Sequence, residues 1–210
     1  MDRPSLSSMK GIVQTLSKVT DGRDVIVATG VGSHQSIVAR YFTWDYPRRL
    51  LLTSCGHGTM GSGLPMAIGA AISRPDSLVL CINGDGSMNM DAPHLMTLRE
   101  LQVPIRIMQI KIIVLDNASM GIVRQFEDLQ GFANAATANR PNPDFAAIAR
   151  ASFLEGYDIE ETSAWGELEW SAFIAAPGPA LAHVRVDDYG VWPILEGGRQ
   201  QGDMTDEPAG

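Results

Sequence analysis

Apolar residues recur at helical spacing through "SLSSMKGIVQTLSKV", after which "RDVIVATG" runs as a short unbroken apolar strand to a glycine. The alternation repeats as a helix over Ser33 to Phe42, the strand "RLLLTS", a helix over Leu64 to Ser73 and the strand "SLVLCING". Past the acidic turn "DGS" the pattern predicts a helix from Ala92 to Leu101 and a long strand, "IRIMQIKIIVLDN". A helix opening at Gly121, the segment "PDFAAIAR", a strand near "FLEGYDI", a helix from Ser163 to Ile174 and the strand "ALAHVRV" complete the series. Strands that are apolar throughout and joined by helices need cover on both faces. The expectation is therefore an α/β three-layer sandwich with a mostly parallel central sheet. Its strand C-terminal ends, "ATGVGSHQ", "TSCGHGTMG", "INGDGSMN" and "LDNASMG", hold most of the glycine-rich and short polar sequence, and sheets of this kind carry their sites there. Residues 1–197 read as one domain and 198–210 as a poorly ordered tail. The polar segment "GFANAATANRPNP" reads as a mobile loop.

Composition narrows the classes of partner. The 210-residue chain carries a formal net charge of -8, so it lacks the basic surface that attracts nucleic acid or anionic membrane. No apolar run approaches the ~20 residues of a membrane span, and "MDRPSLSSMK" has no signal-peptide core. A cytoplasmic protein with neither nucleic acid nor membrane as partner is expected. Cys55 and Cys81 stand far apart with no zinc-type spacing, and both read as buried thiols.

Two glycine patterns compete for the chemistry. Gly56-x-Gly58-x-x-Gly61, with Asp76 further on, fits a dinucleotide-binding fingerprint by spacing. Asp76, however, precedes a strand instead of ending one, and other glycine loops lie on either side. In "NGDGSMN", Asp85 sits between two glycines directly after a strand. A carboxylate there can ligate a hard cation such as Mg2+, although Asp-Gly is also an ordinary turn. Asn117 closes the following strand and could give an amide oxygen to the same ion.

"GDGS" followed by a helix, a strand and a terminal asparagine resembles the thiamine diphosphate (ThDP) binding motif. With "GVGSHQSIVARYF", "RRLLLTSCGHGTMGSGLPMAIGAA", "LDNASMGIVRQFED" and "YGVWPILEGG" in order, the chain resembles the C-terminal ThDP-binding domain of the acetolactate synthase group. The resemblance implies that Asp85 and Asn117 give side-chain oxygens to Mg2+ and Ser119 its backbone carbonyl. It places Gly84, Gly86 and Ser87 on one side of the diphosphate and Val31, Gly32, Ser33 and His34 on the other. Met120, Gly121 and Ile122 would line the cofactor. Gly58 and Met60 would face the aminopyrimidine, with Met60 beneath the bend of the cofactor. Taken alone, His34 could equally satisfy a buried backbone group, and Met60 could be core filler.

The implied activity is decarboxylation of a 2-oxoacid such as pyruvate, with ligation of the remaining fragment to a second carbonyl compound. The alternatives are a non-ligating 2-oxoacid decarboxylase, similar to sulfopyruvate or phosphonopyruvate decarboxylase, and an inactive partner subunit of the same fold. The family's catalytic chain has three domains, and its activating glutamate lies in the pyrimidine-binding domain. No residue here matches that glutamate, so the resemblance implies a separate pyrimidine-domain subunit in a hetero-oligomer, α2β2 or larger. Three departures stand out. Asp85 and Asn117 are 32 positions apart, longer than the family spacing, which a long strand or a bulge would absorb. Asp116 replaces the first asparagine of the usual pair. Phe126 stands where acetolactate synthases carry a tryptophan that shapes the acceptor pocket.

Overall fold

The computed structural model describes residues 8–101, 109–133, 136–137, 141–160 and 165–187. Six strands, β1 (Val25–Thr29), β2 (Arg49–Leu52), β3 (Leu78–Gly84), β4 (Ile110–Asp116), β5 (Glu155–Ile159) and β6 (Ala180–Arg185), form one sheet. Their order is β2-β1-β3-β4-β6-β5, and every adjacent pair is parallel. The helices are α1 (Met9–Val19), α2 (Ser33–Tyr41), α3 (Gly63–Ser73), α4 (Asp85–Asp91), α5 (His94–Leu101), α6 (Gly121–Gln130), α7 (Phe145–Ala151) and α8 (Glu167–Ala175).

Successive side chains of a strand point to opposite faces, and this splits each apolar run between two cores. Val25, Val27, Leu78, Leu80 and Ile82 pack with α1, α2 and α8 on one face. Ile26, Ala28, Val79 and Cys81 pack with α3, α4, α5 and α7 on the other. The three-layer expectation is met, with an entirely parallel sheet. Lys111, fully buried on β4, donates from Nζ to the carbonyls of Ala176 and Gly178, both at 2.7 Å, at the C-terminal end of α8.

The elements differ from the sequence reading in several places, among them α8, which starts at Glu167 and not at Ser163. The acidic turn is itself helical, because α4 begins at Asp85 without an intervening loop. Pro93 then separates α4 from α5, as expected of a residue that cannot donate to the preceding turn. The strand near "FLEGYDI" starts only at Glu155, since Phe153 has a φ of 61° and faces solvent. Within the long strand, β4 is seven residues and pairs with β3 in unbroken register from Val79↔Ile110 to Gly84↔Leu115. There is thus no bulge between Ile110 and Asn117, and residues 105–108, the start of the expected strand, lie outside the described residues. Residues 102–108, the region beyond 187 and so the proposed tail lie outside the described residues. Among the described residues no helix is long and apolar enough to cross a membrane.

Candidate functional site

The chain leaves β1 toward β2 on one side, and β3 joins β1 on the other. The carboxyl ends of β1 and β3 therefore flank the topological switch point of the sheet, where a crevice opens in folds of this kind. A cavity of about 170 Å³ lies there, lined by Met9 of α1 and by four stretches: Val31–His34, Met60, Gly84–Ser87 with Leu115, and Asn117 with Ser119–Val123. Every residue singled out above for cofactor or metal contact is among them except Gly58. Gly58 is exposed, in a left-handed conformation just after the 3-10 turn Cys55–His57. Phe126 sits outward on α6, 39% exposed and away from the lining. Cys55 is exposed as well, in place of the expected buried thiol, while Cys81 is buried.

Close approach explains the glycines. A Cβ on Gly84 would lie 2.7 Å from Nδ1 of His34, and one on Gly86 would lie 2.9 Å from Sδ of Met120 and 3.2 Å from Cε of Met60. The two thioethers therefore converge over Gly86, which makes Met60 a wall of the cavity and not core filler. On the opposite side, Ser33 Oγ and His34 Nε2 are buried without a hydrogen-bond partner, an arrangement that costs free energy unless a ligand completes it. Burial pulls the His34 pKa down to about 4, only partly opposed by its hydrogen bond with the Gly30 backbone. The ring is neutral.

Asp85 opens α4 in a buried position. Burial raises its pKa, against the lowering effect of a hydrogen bond from Asn142. Asn117 Oδ1 accepts from Ser119 N at 3.1 Å. Ala118 between them adopts a φ of 51°, a left-handed conformation uncommon for a residue with a side chain. The turn is held from outside by Thr137, whose carbonyl accepts from Ser119 Oγ at 2.8 Å and Met120 N at 2.9 Å. Among the described lining residues Asp85 is the sole carboxylate, and no lysine or arginine is present. A pocket lined by a carboxylate and an asparagine, with no lysine or arginine, suits a hard divalent cation.

A family model described as "Thiamine pyrophosphate enzyme, C-terminal TPP binding domain" matches residues 30–184. The chain belongs to this family. The matched span opens at the β1 turn and closes within β6, so it encloses the whole cavity apart from Met9. This TPP-binding domain is also similar to curated proteins. It is 38% identical over 190 residues to the mitochondrial acetolactate synthase catalytic subunit of Saccharomyces cerevisiae, covering 89% of this chain and 27% of that protein. It is 36% identical over 186 residues to the acetolactate synthase isozyme 2 large subunit of Escherichia coli, covering 88% and 33%. It is 44% identical over 131 residues to the chloroplastic acetolactate synthase 1 of Nicotiana tabacum, covering 62% and 19%. The domain thus spans a third or less of each of these relatives.

Several residues that shape the cavity escaped the sequence reading. Asn83 Oδ1 accepts from Gly30 N at 2.8 Å, and its amide donates at 2.6 Å to Asp91, which also accepts from Leu64 N at 3.0 Å. This buried staple joins the loops after β1, β2 and β3. Asn142 reaches the site from 57 positions away to donate to Asp85. No motif spacing announces a contact of that kind.

Proposed function

We propose that this domain holds thiamine diphosphate through Mg2+ and serves an acetolactate synthase-like enzyme. That enzyme decarboxylates a 2-oxoacid such as pyruvate and joins the remaining fragment to a second carbonyl compound. The observation that carries the reading is the meeting of Asp85, Asn117 and Ser119 with the unpartnered Ser33 Oγ and His34 Nε2 around one cavity at the switch point. A diphosphate beside the Asp85 carboxylate is repelled unless a cation lies between them, and the lining offers no lysine or arginine to serve instead.

In this reading the Asp85 carboxylate, the Asn117 amide oxygen and the Ser119 carbonyl hold Mg2+. The Gly84, Gly86 and Ser87 segment, with Ser33 and His34, binds the diphosphate. Met60 and Met120 support the bend of the cofactor and keep water out. When bound, thiamine diphosphate supplies the nucleophilic carbon and electron sink for decarboxylation. Among the described lining residues Asp85 is the sole carboxylate and is assigned to the metal; in this reading the acid that activates the pyrimidine is brought by a pyrimidine-binding unit, proposed to be a separate subunit.

The test is thermal protection. ThDP with Mg2+ is expected to raise the melting temperature of the chain and NAD is not, and Asp85→Ala is expected to abolish the ThDP effect. Protection by NAD alone, or an unaltered ThDP effect in Asp85→Ala, would overturn the assignment. With a pyrimidine-domain subunit and pyruvate, acetolactate is the expected product; acetaldehyde in its place would identify a non-ligating decarboxylase.

A further inference from the structure

Behind the cavity a chain of side chains runs inward from the edge of the sheet. Arg185 Nη1 lies 3.3 Å from Asp158 Oδ1 and against the His183 ring, 2.8 Å from Nδ1 and 2.6 Å from Nε2. His183, fully buried, packs edge-on against Phe145 of α7 with ring centroids 5.0 Å apart. The Asp116 carboxylate can only accept, so the ring donates from Nε2 to Asp116 Oδ2 at 2.8 Å. Asp116 also accepts from Ala118 N at 2.8 Å. Asn142, three residues before Phe145, then spends its amide group on both acids at once: Nδ2 donates to Asp116 Oδ1 at 2.8 Å and to Asp85 Oδ2 at 2.7 Å. Its own oxygen accepts from Asn89 Nδ2 at 3.2 Å.

We infer that Asn142 is a positioning residue for the cation site, bridging Asp85 to the anchored Asp116 so that the Asp85 carboxylate is held in one rotation. This rests on the assignment of Asp85 to Mg2+ proposed above. An amide has two N–H donors, and here each meets one carboxylate. Oδ2 of Asp85 is thereby committed to Asn142, and the backbone of Gly86 and Ser119 bonds the same carboxylate, so its rotation is fixed and it is poorly placed to offer a cation both oxygens. Single-oxygen ligation in a fixed direction suits Mg2+, which tolerates little departure from an octahedron, and disfavours Ca2+, which accepts bidentate and irregular sets. Hydrogen-bonded groups outside the ligands commonly set metal affinity in this way. Asn142 acts through Asp85 and touches neither the cation nor the cofactor.

The test is Mn2+ binding to the full chain in the presence of ThDP, read from the electron paramagnetic resonance of free Mn2+, with Mg2+ and Ca2+ as competitors. Asn142→Ala is expected to weaken Mn2+ about 10- to 100-fold. Ca2+ is expected to lose less, so the preference for Mg2+ over Ca2+ narrows, a change that general destabilisation would not produce. Asn142→Leu, close in size and unable to donate, guards against collapse of the loop on truncation and is expected to behave alike. If both variants bind Mn2+ within about twofold of wild type, with the Mg2+ to Ca2+ preference intact, while Asp85→Ala has lost it, the role of Asn142 is overturned and the metal assignment stands. Wild-type binding in Asp85→Ala, or no Mn2+ binding by the wild-type chain, overturns the metal assignment and this inference with it.

Discussion

His34 is buried, yet Nε2 of its ring meets no partner. Its neutral state has a measurable consequence. The folded pKa of about 4 lies below the ordinary 6.5, so between these values the unfolded chain binds more protons than the folded one. Stability is then complete above pH 6.5 and falls as the pH drops toward 4, by about 3 kcal/mol at most from this group. Chemical denaturation of wild type and His34→Gln across pH 4 to 7 is the check: the variant is expected to show a flatter profile, and parallel profiles would refute the assignment. At this scale much of the site was legible. Asp85 between glycines and Asn117 at a strand end announced themselves by residue type and position. What His34 and Met60 do was not legible, because a histidine in a loop and a methionine near a helix start have ordinary structural uses, and only their direction into the cavity separates the two.

Among the elements, α4 shows how a loop motif gains rigidity. The "DGS" turn is the first turn of a helix, with Asp85 placed favourably at its N-terminal end. Six residues on, Asp91 closes the staple with Asn83 and Leu64 N. Replacing it by alanine strands two buried donors and is expected to cost about 2–4 kcal/mol of stability. Because the staple aligns three site loops, Asp91→Ala is also expected to lose ThDP protection, whereas Asp91→Asn keeps one acceptor and loses less. Denaturant melts with and without ThDP and Mg2+ compare the two; equal losses would mean that the staple does not set the loops. Helical and strand periodicity located nearly every element. It missed α4, read as an acidic turn before a helix from Ala92, because glycine and aspartate are common in turns, and here burial of Met88 and Asp91 overrides that local tendency.

For the whole molecule, a cavity with a single lining carboxylate has a direct consequence. Pyruvate turnover is expected to be minimal for this chain alone and to rise strongly once a pyrimidine-binding subunit is added. Product formation with and without that subunit is the measurement, and full activity of the chain alone would remove the need for a partner. The sequence by itself determined the alternation of strand and helix, the two-sided burial of the sheet and the concentration of polar, glycine-rich residues at strand ends. These follow from periodicity and residue type over short stretches. Only the tertiary structure decided the strand order β2-β1-β3-β4-β6-β5, and with it the switch point that gathers four loops around one cavity. It alone brought Asn142 to Asp85 and Asp116, and His183 to Asp116. Contacts between residues tens of positions apart depend on which strands become neighbours, and that is settled by packing two cores against one sheet, which no local pattern encodes.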